Sequence, residues 1–126
     1  MKNKKIILYC FIVSLLILLV ASKSSPLYPL NDWCDANAFF TMGKGLFNGK
    51  IIFKDLFEQK GPFLYLIYGI GYLISNTSFL GVFVLEVISS TIFLYLTHKL
   101  INLYFIQAHL GPKQFILFLS NSKIPL

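Results

Sequence analysis

Residues 6–21, IILYCFIVSLLILLVA, form an apolar stretch that carries no charge and only two weakly polar residues, Cys10 and Ser14. It is slightly shorter than the about 20 apolar residues that a helix needs to span the hydrocarbon core of a bilayer. Lys23 can extend it, because a long lysine side chain reaches toward the lipid head groups. The stretch therefore predicts a transmembrane helix.

The flanks of this block predict its orientation. Lys2, Lys4 and Lys5 stand immediately before it, and no comparable cluster follows. Because lysines next to a span accumulate on the cytoplasmic side, the amino terminus is predicted in the cytoplasm and the following residues outside. A cleaved signal peptide is the alternative, with residues 20–22 as the cleavage site, but the apolar block is at the long end for such a signal.

The composition of the chain agrees with a membrane protein. Hydrophobic residues make up 56% of it and charged residues 13%, whereas soluble proteins average about 25% charged. All 11 basic residues are lysines, and after the first three they are scattered singly, so nucleic-acid binding is not expected. Cys10 lies in the membrane block and Cys34 in the polar loop, so a disulfide is not expected either.

Residues 23–60 form the polar outer loop between apolar blocks. Pro26 and Pro29 open it as an irregular segment. From Ala36 onward, apolar residues recur at helical spacing and predict an amphipathic juxtamembrane helix that ends at Asn48 and Gly49. The aromatic face of this helix suits a membrane surface or, equally, packing against other helices.

The second half of the chain predicts a helical hairpin. Pro62 suits the first position of a helix over residues 62–74, residues 75–78 form a polar turn, and residues 79–96 form a third apolar block whose only charge is Glu86. This hairpin is predicted to enter the membrane and return to the outside. Glu86 is either a buried polar contact or part of a lipid-side pocket, since acids inside a membrane are costly.

The predicted fold is therefore all-α and integral to the membrane, with about three transmembrane helices. Residues 1–22 form the cytoplasmic tip and first span, 23–60 the outer loop, 61–98 the hairpin and 99–126 an irregular apolar tail. The predicted location is the cell membrane, with several passes.

The candidates for chemistry lie in the outer loop. It contains every acidic residue except Glu86, namely Asp32, Asp35, Asp55 and Glu58. Paired carboxylates there would bind a cation, or one would act as a general base on an acceptor hydroxyl. Lys60, just before a helix, suits an anion such as a lipid phosphate. The alternative is a solvated loop without chemistry. The two histidines lack partners at metal-ligand spacing, so no metal cluster is predicted.

The order of the loop residues points to a family. The motif elements are Asp35-Ala-Asn-Ala-Phe39, Gly43, Gly49, Lys54-Asp55-Leu-Phe57 and Glu58-Gln-Lys60-Gly-Pro62-Phe-Leu-Tyr65. Together they resemble the first outer loop of bacterial membrane glycosyltransferases, the family 39-like enzymes of the GT-C fold, which are related to protein mannosyltransferases and aminoarabinose transferases. The resemblance covers residues 6–96 and implies that the chain is a fragment of a GT-C bundle.

The resemblance implies transfer of a sugar from a polyprenyl-phosphate donor to an acceptor at the outer membrane face. Asp35 matches the acid that activates or positions the acceptor, and Lys60 matches the lysine near the donor phosphate. Asp55 and Glu58 are supporting loop acids. Some relatives carry a metal-contacting acid directly before the lysine, where this chain has Gln59, so the resemblance assigns no metal ligand and leaves a divalent cation open.

The family's enzymes are several times longer, so the chain is interpreted as the amino-terminal portion of such a transferase, inactive at this length without the remainder. Its expected partners are membrane lipid, the donor, an acceptor and the remainder of the transferase. The alternative function is a small non-enzymatic membrane protein that binds a larger partner. A secreted basic polypeptide released after Ser22 is a second alternative, although residues 62–96 would still need a bilayer.

Overall fold

A computed structural model of the chain describes residues 2–109 and Gln114. Within these residues it contains four α-helices: α1 (Lys2–Ala21), α2 (Cys34–Phe47), α3 (Pro62–Ile74) and α4 (Leu80–His109). No strand occurs in the described part, where β-structure is limited to an isolated bridge between Ile52 and Leu56. The prediction of an all-α chain is confirmed for these residues. The chain divides into two compact units, residues 1–91 and 92–126.

Two helices are long and apolar enough to cross a membrane. They are the 19-residue segment Asn3–Ala21 of α1 and the 26-residue segment Leu80–Phe105 of α4. At a rise of about 1.5 Å per residue, both cover the about 30 Å hydrocarbon core. Leu16 in α1 is 63% exposed and Phe93 in α4 is 67% exposed, so apolar surface remains on both helices for contact with lipid. By length and composition, these helices agree with membrane association.

The limits of the first three helices follow from local sequence signals. The predicted first span ends at Ala21 as observed, although α1 begins earlier, at Lys2. The amphipathic helix is present as α2, and its C-cap is Asn48. Helix α3 has Gly61 at its N-cap and Pro62 in its first turn, and it ends at Ile74. These limits agree with the predicted segments because caps, proline and glycine act on the residues next to them.

The predicted end of the last helix is wrong. Residues 99–109 belong to α4, which continues to His109, and are not an irregular tail. His98 and Lys99 do not stop the helix because each finds a partner one turn away. The Lys99 ammonium lies 5.3 Å from the ring centre of Tyr95, and Asn102 hydrogen-bonds to His98. Such i, i+4 pairs support a helix. Apart from Gln114, the rest of the predicted tail lies outside the described residues.

Helices α2 and α3 pack through the aromatic face of α2. Phe39, Met42 and Tyr65 form the buried cluster between them, and the Phe39 ring meets Tyr68 edge-on with 5.5 Å between ring centres. Of the two uses expected for this face, packing against another helix is therefore the one observed. Phe39 is buried in this contact, whereas Phe47 at the end of α2 remains 40% exposed.

Glycines allow this crossing to be close. A Cβ atom placed on Gly43 would overlap the backbone nitrogen of Gly69 and lie 2.7 Å from the carbonyl oxygen of Tyr65. A Cβ atom on Gly69 would lie 2.5 Å from the ring of Phe47. Close backbone approach of this kind is characteristic of small residues at helix crossings.

Both ends of α3 lie beside the loop that precedes it. Near its start, the Tyr65 hydroxyl oxygen lies 2.6 Å from the Lys60 carbonyl oxygen. Beyond its end, Thr77 and Ser78 line the same cavity as Lys23 and Ser25. A helix of 13 residues is only about 20 Å long. The expectation of a third span, and of two spans over residues 61–98, is therefore not confirmed, because α3 is short and remains next to the loop.

Glu86 ties the end of α1 to the beginning of α4. Its carboxylate accepts hydrogen bonds from the Ser22 hydroxyl over 2.5 Å and from the Ser24 hydroxyl over 3.2 Å. Of the two roles expected for Glu86, the polar contact is the one observed, and both serines lie beyond the last residue of α1. The carboxyl end of α1 therefore lies next to the amino-terminal part of α4.

Candidate functional site

Asp55 stabilises a tight turn in the outer loop. Its carboxylate oxygen accepts a hydrogen bond from the Ile51 amide over 2.8 Å, and its own amide donates to the Ile51 carbonyl over 2.8 Å. The turn closes where the Phe53 amide donates to the Leu56 carbonyl over 2.7 Å. Phe53 has a φ of 66°, a conformation that is unusual for a bulky residue. Asp55 thus has a local structural role as a turn acid.

Glu58 is fixed at the start of α3 by two donors. One carboxylate oxygen accepts from the Tyr65 hydroxyl over 2.7 Å and from the Lys60 amide over 2.8 Å. Tyr65 is fully buried, and its hydroxyl also lies within hydrogen-bonding distance of the Lys60 carbonyl. The hydrogen bond from Tyr65, and then that from the Lys60 amide, hold the pKa of Glu58 below its usual value of 4.5. Glu58, Lys60 and Tyr65 thus form one rigid connection, the Glu58–Tyr65 latch.

The lowered pKa makes the latch sensitive to acid. A carboxylate with a folded-state pKa below its unfolded value stabilises the fold above the unfolded pKa, and this contribution is lost as the pH falls through the folded value. We expect Tyr65→Phe to raise the pKa of Glu58 toward 4.5 by removing its main donor. Because the pKa of Glu58 in the variant then lies nearer to its unfolded value, the thermal unfolding midpoint of Tyr65→Phe in detergent should fall less than that of the parent as the pH is lowered below 4.5.

The matched control for this experiment is Tyr72→Phe, since no hydrogen bond of the Tyr72 hydroxyl occurs in the described structure. Its unfolding midpoint should follow the parent curve as the pH is lowered. In Glu58→Gln, the part of the fall in unfolding midpoint that comes from protonation of Glu58 should be absent, because an amide does not ionise. If Tyr65→Phe and Tyr72→Phe gave the same pH curve, the latch would not control Glu58.

Lys60 and Asp35 both present their side chains to the surroundings. Lys60 directly precedes the Gly61 N-cap of α3, and its side chain is exposed. Asp35 is the acidic residue in the first turn of α2 and is also exposed. Neither belongs to an ion pair in the described part of the chain, where the salt bridge found joins Lys23 and Asp32. The structure brings Lys60 and Glu58 together through the latch, whereas no contact joins Asp35 to Lys60.

A groove of about 410 Å³ adjoins the latch. Glu58 and Phe57 form one side of it, and Cys34, Asn37 and Thr41 of α2 line the other. Asp35 and Lys60 do not line it. Of the predicted site residues, Glu58 is the one that lines this groove, whose volume is that of a small-molecule site.

A second cavity, of about 520 Å³, lies between the start of the outer loop and the turn before α4. Its walls carry hydroxyl and amide groups, including those of Ser25, Asn31, Asn37 and Ser78. The side-chain nitrogen of Asn31 is buried without a hydrogen-bond partner. None of the predicted site residues lines this cavity, which the sequence did not indicate.

The described residues contain no group of three or more histidine, cysteine, aspartate or glutamate side chains that could hold a metal ion. Asp55 and Glu58, the two acids closest in sequence to Lys60, use their carboxylates for backbone and tyrosine donors. The described part of the chain therefore offers no ready ligand set for the divalent cation that the sequence left open.

Sequence reasoning missed Tyr65 and the serines that contact Glu86. Tyr65 appeared only as the last residue of the motif around Lys60. The signal available was its position: a tyrosine in the first turn of an apolar helix can return its hydroxyl to the preceding loop, because helical side chains lean toward the amino-terminal end.

Searches of protein-family models, curated proteins and solved structures found no significant match for this chain.

Proposed function

We propose that the chain is the amino-terminal portion of a GT-C membrane glycosyltransferase that transfers a sugar from a polyprenyl-phosphate donor to an acceptor at the outer face of the membrane. The observation that carries the proposal is the latch. It holds the residues around Lys60 rigidly between the outer loop and α3. A lysine on a fixed backbone is a better phosphate ligand than one on a mobile loop, because less freedom is lost on binding.

The chemistry of the donor explains the role given to Lys60. When the sugar is transferred, the phosphate leaves with negative charge, and a fixed cation stabilises that charge as it develops. Lys60 makes no salt bridge within the described residues, where the observed ion pair joins Lys23 and Asp32. The adjacent Glu58 is engaged by Tyr65. The Lys60 ammonium is therefore not committed to a described carboxylate, and the positive end of the α3 dipole adds to its field.

Asp35 is proposed as the acid that takes the proton from the acceptor hydroxyl. Its exposed side chain lies in the first turn of α2 and forms no described ion pair. No hydrogen bond or ion pair joins Asp35 to Lys60 in the described residues, so the proposed site needs further residues to link the two. We propose that the remainder of the transferase supplies these residues.

The proposal includes a topology with two crossings in the described residues. Helices α1 and α4 cross the membrane, the amino terminus is cytoplasmic, and α2, α3 and the outer loop lie together at the outer face. Two observations support this arrangement. Both ends of α3 contact the loop side, and Glu86 joins the end of α1 to the first part of α4. This replaces the three-span topology expected from the apolar blocks.

The donor site is tested with a photoreactive undecaprenyl-phosphate sugar and the full chain in lipid nanodiscs. Removal of a charge-assisted hydrogen bond costs about 1.5–3 kcal/mol, so Lys60→Ala should lower saturable photolabelling by about tenfold or more. Lys50→Ala is the matched control, because Lys50 is an exposed lysine of the same loop. It should label as the parent does.

A companion variant tests the acid. Asp35→Asn should keep donor labelling but abolish sugar transfer when the remainder of the transferase is supplied, while Asp32→Asn, a neighbouring exposed acid, should retain transfer. If Lys60→Ala labelled as well as Lys50→Ala, and Asp35→Asn changed nothing, the transferase proposal would be wrong. The chain would then be treated as a non-enzymatic membrane protein that binds a larger partner.

A further inference from the structure

The outer loop carries an aromatic and basic surface that no described element covers. Phe57 is 81% exposed and Phe53 is 52% exposed, and their rings meet edge-on with 6.3 Å between centres. Lys54 lies between them in the chain and is also exposed. We call Phe53, Lys54 and Phe57 the Phe53–Phe57 patch. Exposed aromatic rings in contact with each other mark an interaction surface more strongly than scattered single residues do.

The patch is held in shape by the turn that Asp55 stabilises. The hydrogen bonds from Ile51 to Asp55 and from Phe53 to Leu56 close the turn, and Phe53 has its positive φ within it. On the inner side, Leu56 packs against the cluster formed by Phe39, Met42 and Tyr65. The turn therefore keeps Leu56 inside and Phe57 outside, while the half-exposed Phe53 also meets the ring of Tyr65 edge-on with 6.5 Å between ring centres. A strained residue that is held by its surroundings is a feature often found at functional surfaces.

The charges around the patch favour an anionic partner. Lys50, Lys54 and Lys60 are exposed, and the salt bridge found in the described residues involves none of them. Asp55 accepts a hydrogen bond from the Ile51 amide and Glu58 accepts one from Tyr65, and the three lysines leave one positive charge in excess of these two acids over residues 50–60. Aromatic rings interleaved with free lysines are the combination that binds the head-group region of membranes containing acidic lipids.

We propose that the Phe53–Phe57 patch inserts into the head-group region of the membrane and that the neighbouring lysines bind acidic phospholipids there. No feature of the described residues points to a protein partner for the patch, whereas the proposed membrane spans on either side of it place the patch next to a bilayer. The outer loop follows α1 directly and is followed by α3 and then α4, so it lies in the chain between the two helices long enough to cross a bilayer. The patch therefore meets the lipid surface by tethering, at a high effective concentration. This inference rests on the proposed membrane topology and not on the transferase activity.

The test uses tryptophan fluorescence in vesicles of phosphatidylcholine with and without phosphatidylglycerol, containing lipids brominated at a shallow acyl position. Trp33 is the only tryptophan, so Trp33→Phe provides the background and F57W the probe. Since Phe57 is mostly exposed, F57W should fold. Its emission should fall by about twofold with brominated lipid, and more in acidic vesicles than in neutral ones.

The matched control is N48W in the same background, because Asn48 is an exposed residue at the polar end of α2. The tryptophan introduced there should be quenched much less. K54E, combined with F57W, should remove the dependence on acidic lipid. Absence of quenching of F57W in inserted, carbonate-resistant protein would overturn the proposal and indicate water or a protein partner at the patch. If F57W were quenched equally in acidic and neutral vesicles, both with and without K54E, the proposed role of the lysines would be wrong. Photolabelling of the Lys60 variants is a separate experiment from quenching of F57W, so a failure of the membrane-insertion proposal can be distinguished from a failure of the transferase proposal.

Discussion

Replacing Gly43 by alanine is expected to destabilise the packing of α2 on α3 by about 2 kcal/mol, the middle of the range for overpacked sites. The added Cβ would overlap the Gly69 nitrogen and would lie 2.9 Å from the Gly69 Cα. These are backbone atoms, which cannot rotate away as a side chain can. The two helices must therefore move apart, which also loosens the Phe39 and Tyr65 contact. Alanine's helix preference, about 1 kcal/mol over glycine, offsets only part of this cost.

Two other glycines are graded controls for this prediction. A Cβ atom on Gly45 would overlap only the end of the flexible Leu56 side chain, so Gly45→Ala should cost less than Gly43→Ala. No atom lies within 4 Å of the corresponding position on Gly61, and Gly61→Ala should change stability by less than about 1 kcal/mol.

The measurement for all three variants is thermal unfolding in detergent, followed by the emission of Trp33 at the N-cap of α2. The expected order of destabilisation is Gly43, then Gly45, then Gly61. Equal stability of Gly43→Ala and the parent would mean that α2 and α3 do not cross at Gly43 and Gly69.

A cysteine introduced at Asn76 should react with a membrane-impermeant maleimide from the same side of the membrane as native Cys34. Asn76 and Cys34 are both exposed, and the turn that contains Asn76 lies beside the beginning of the outer loop. Cys34 is measured in Cys10→Ser protein, and the cysteine at position 76 is measured in protein with both Cys10→Ser and Cys34→Ser, so that each protein carries a single cysteine. In intact cells, labelling should be complete at both positions, since maleimide reacts with any thiol that water reaches.

Lys4→Cys is the control for the opposite side, because Lys4 is exposed in the first turns of α1. It should label only after the membrane is permeabilised. If the cysteine at Asn76 behaved like Lys4→Cys instead of like Cys34, α3 would cross the membrane, and the three-span topology would be restored. An all-or-none result of this kind does not depend on the stability of the variant.

The sequence predicted several elements closely because their signals are local. Pro62 after Gly61 marks the start of α3, and Asn48 with Gly49 marks the end of α2. The end of α4 was placed too early, since His98 and Lys99 look like a boundary until their partners Tyr95 and Asn102 are considered. Among the site residues, the sequence indicated Glu58 and Lys60 by their order in the chain. It did not indicate that Tyr65 joins them.

The helical, apolar character of the chain and its first span follow from the sequence alone, because length and hydrophobicity of a segment are properties of neighbouring residues. The sequence also predicted about three transmembrane helices, whereas the structure has two helices long and apolar enough to cross a bilayer. The tertiary structure was needed to show that both ends of α3 lie beside the outer loop, which face of α2 is covered and what Glu86 contacts. The Ser22 and Glu86 side chains are 64 positions apart. No local pattern encodes that pairing, since it joins a residue just beyond α1 to a residue of α4 and exists only in the folded chain.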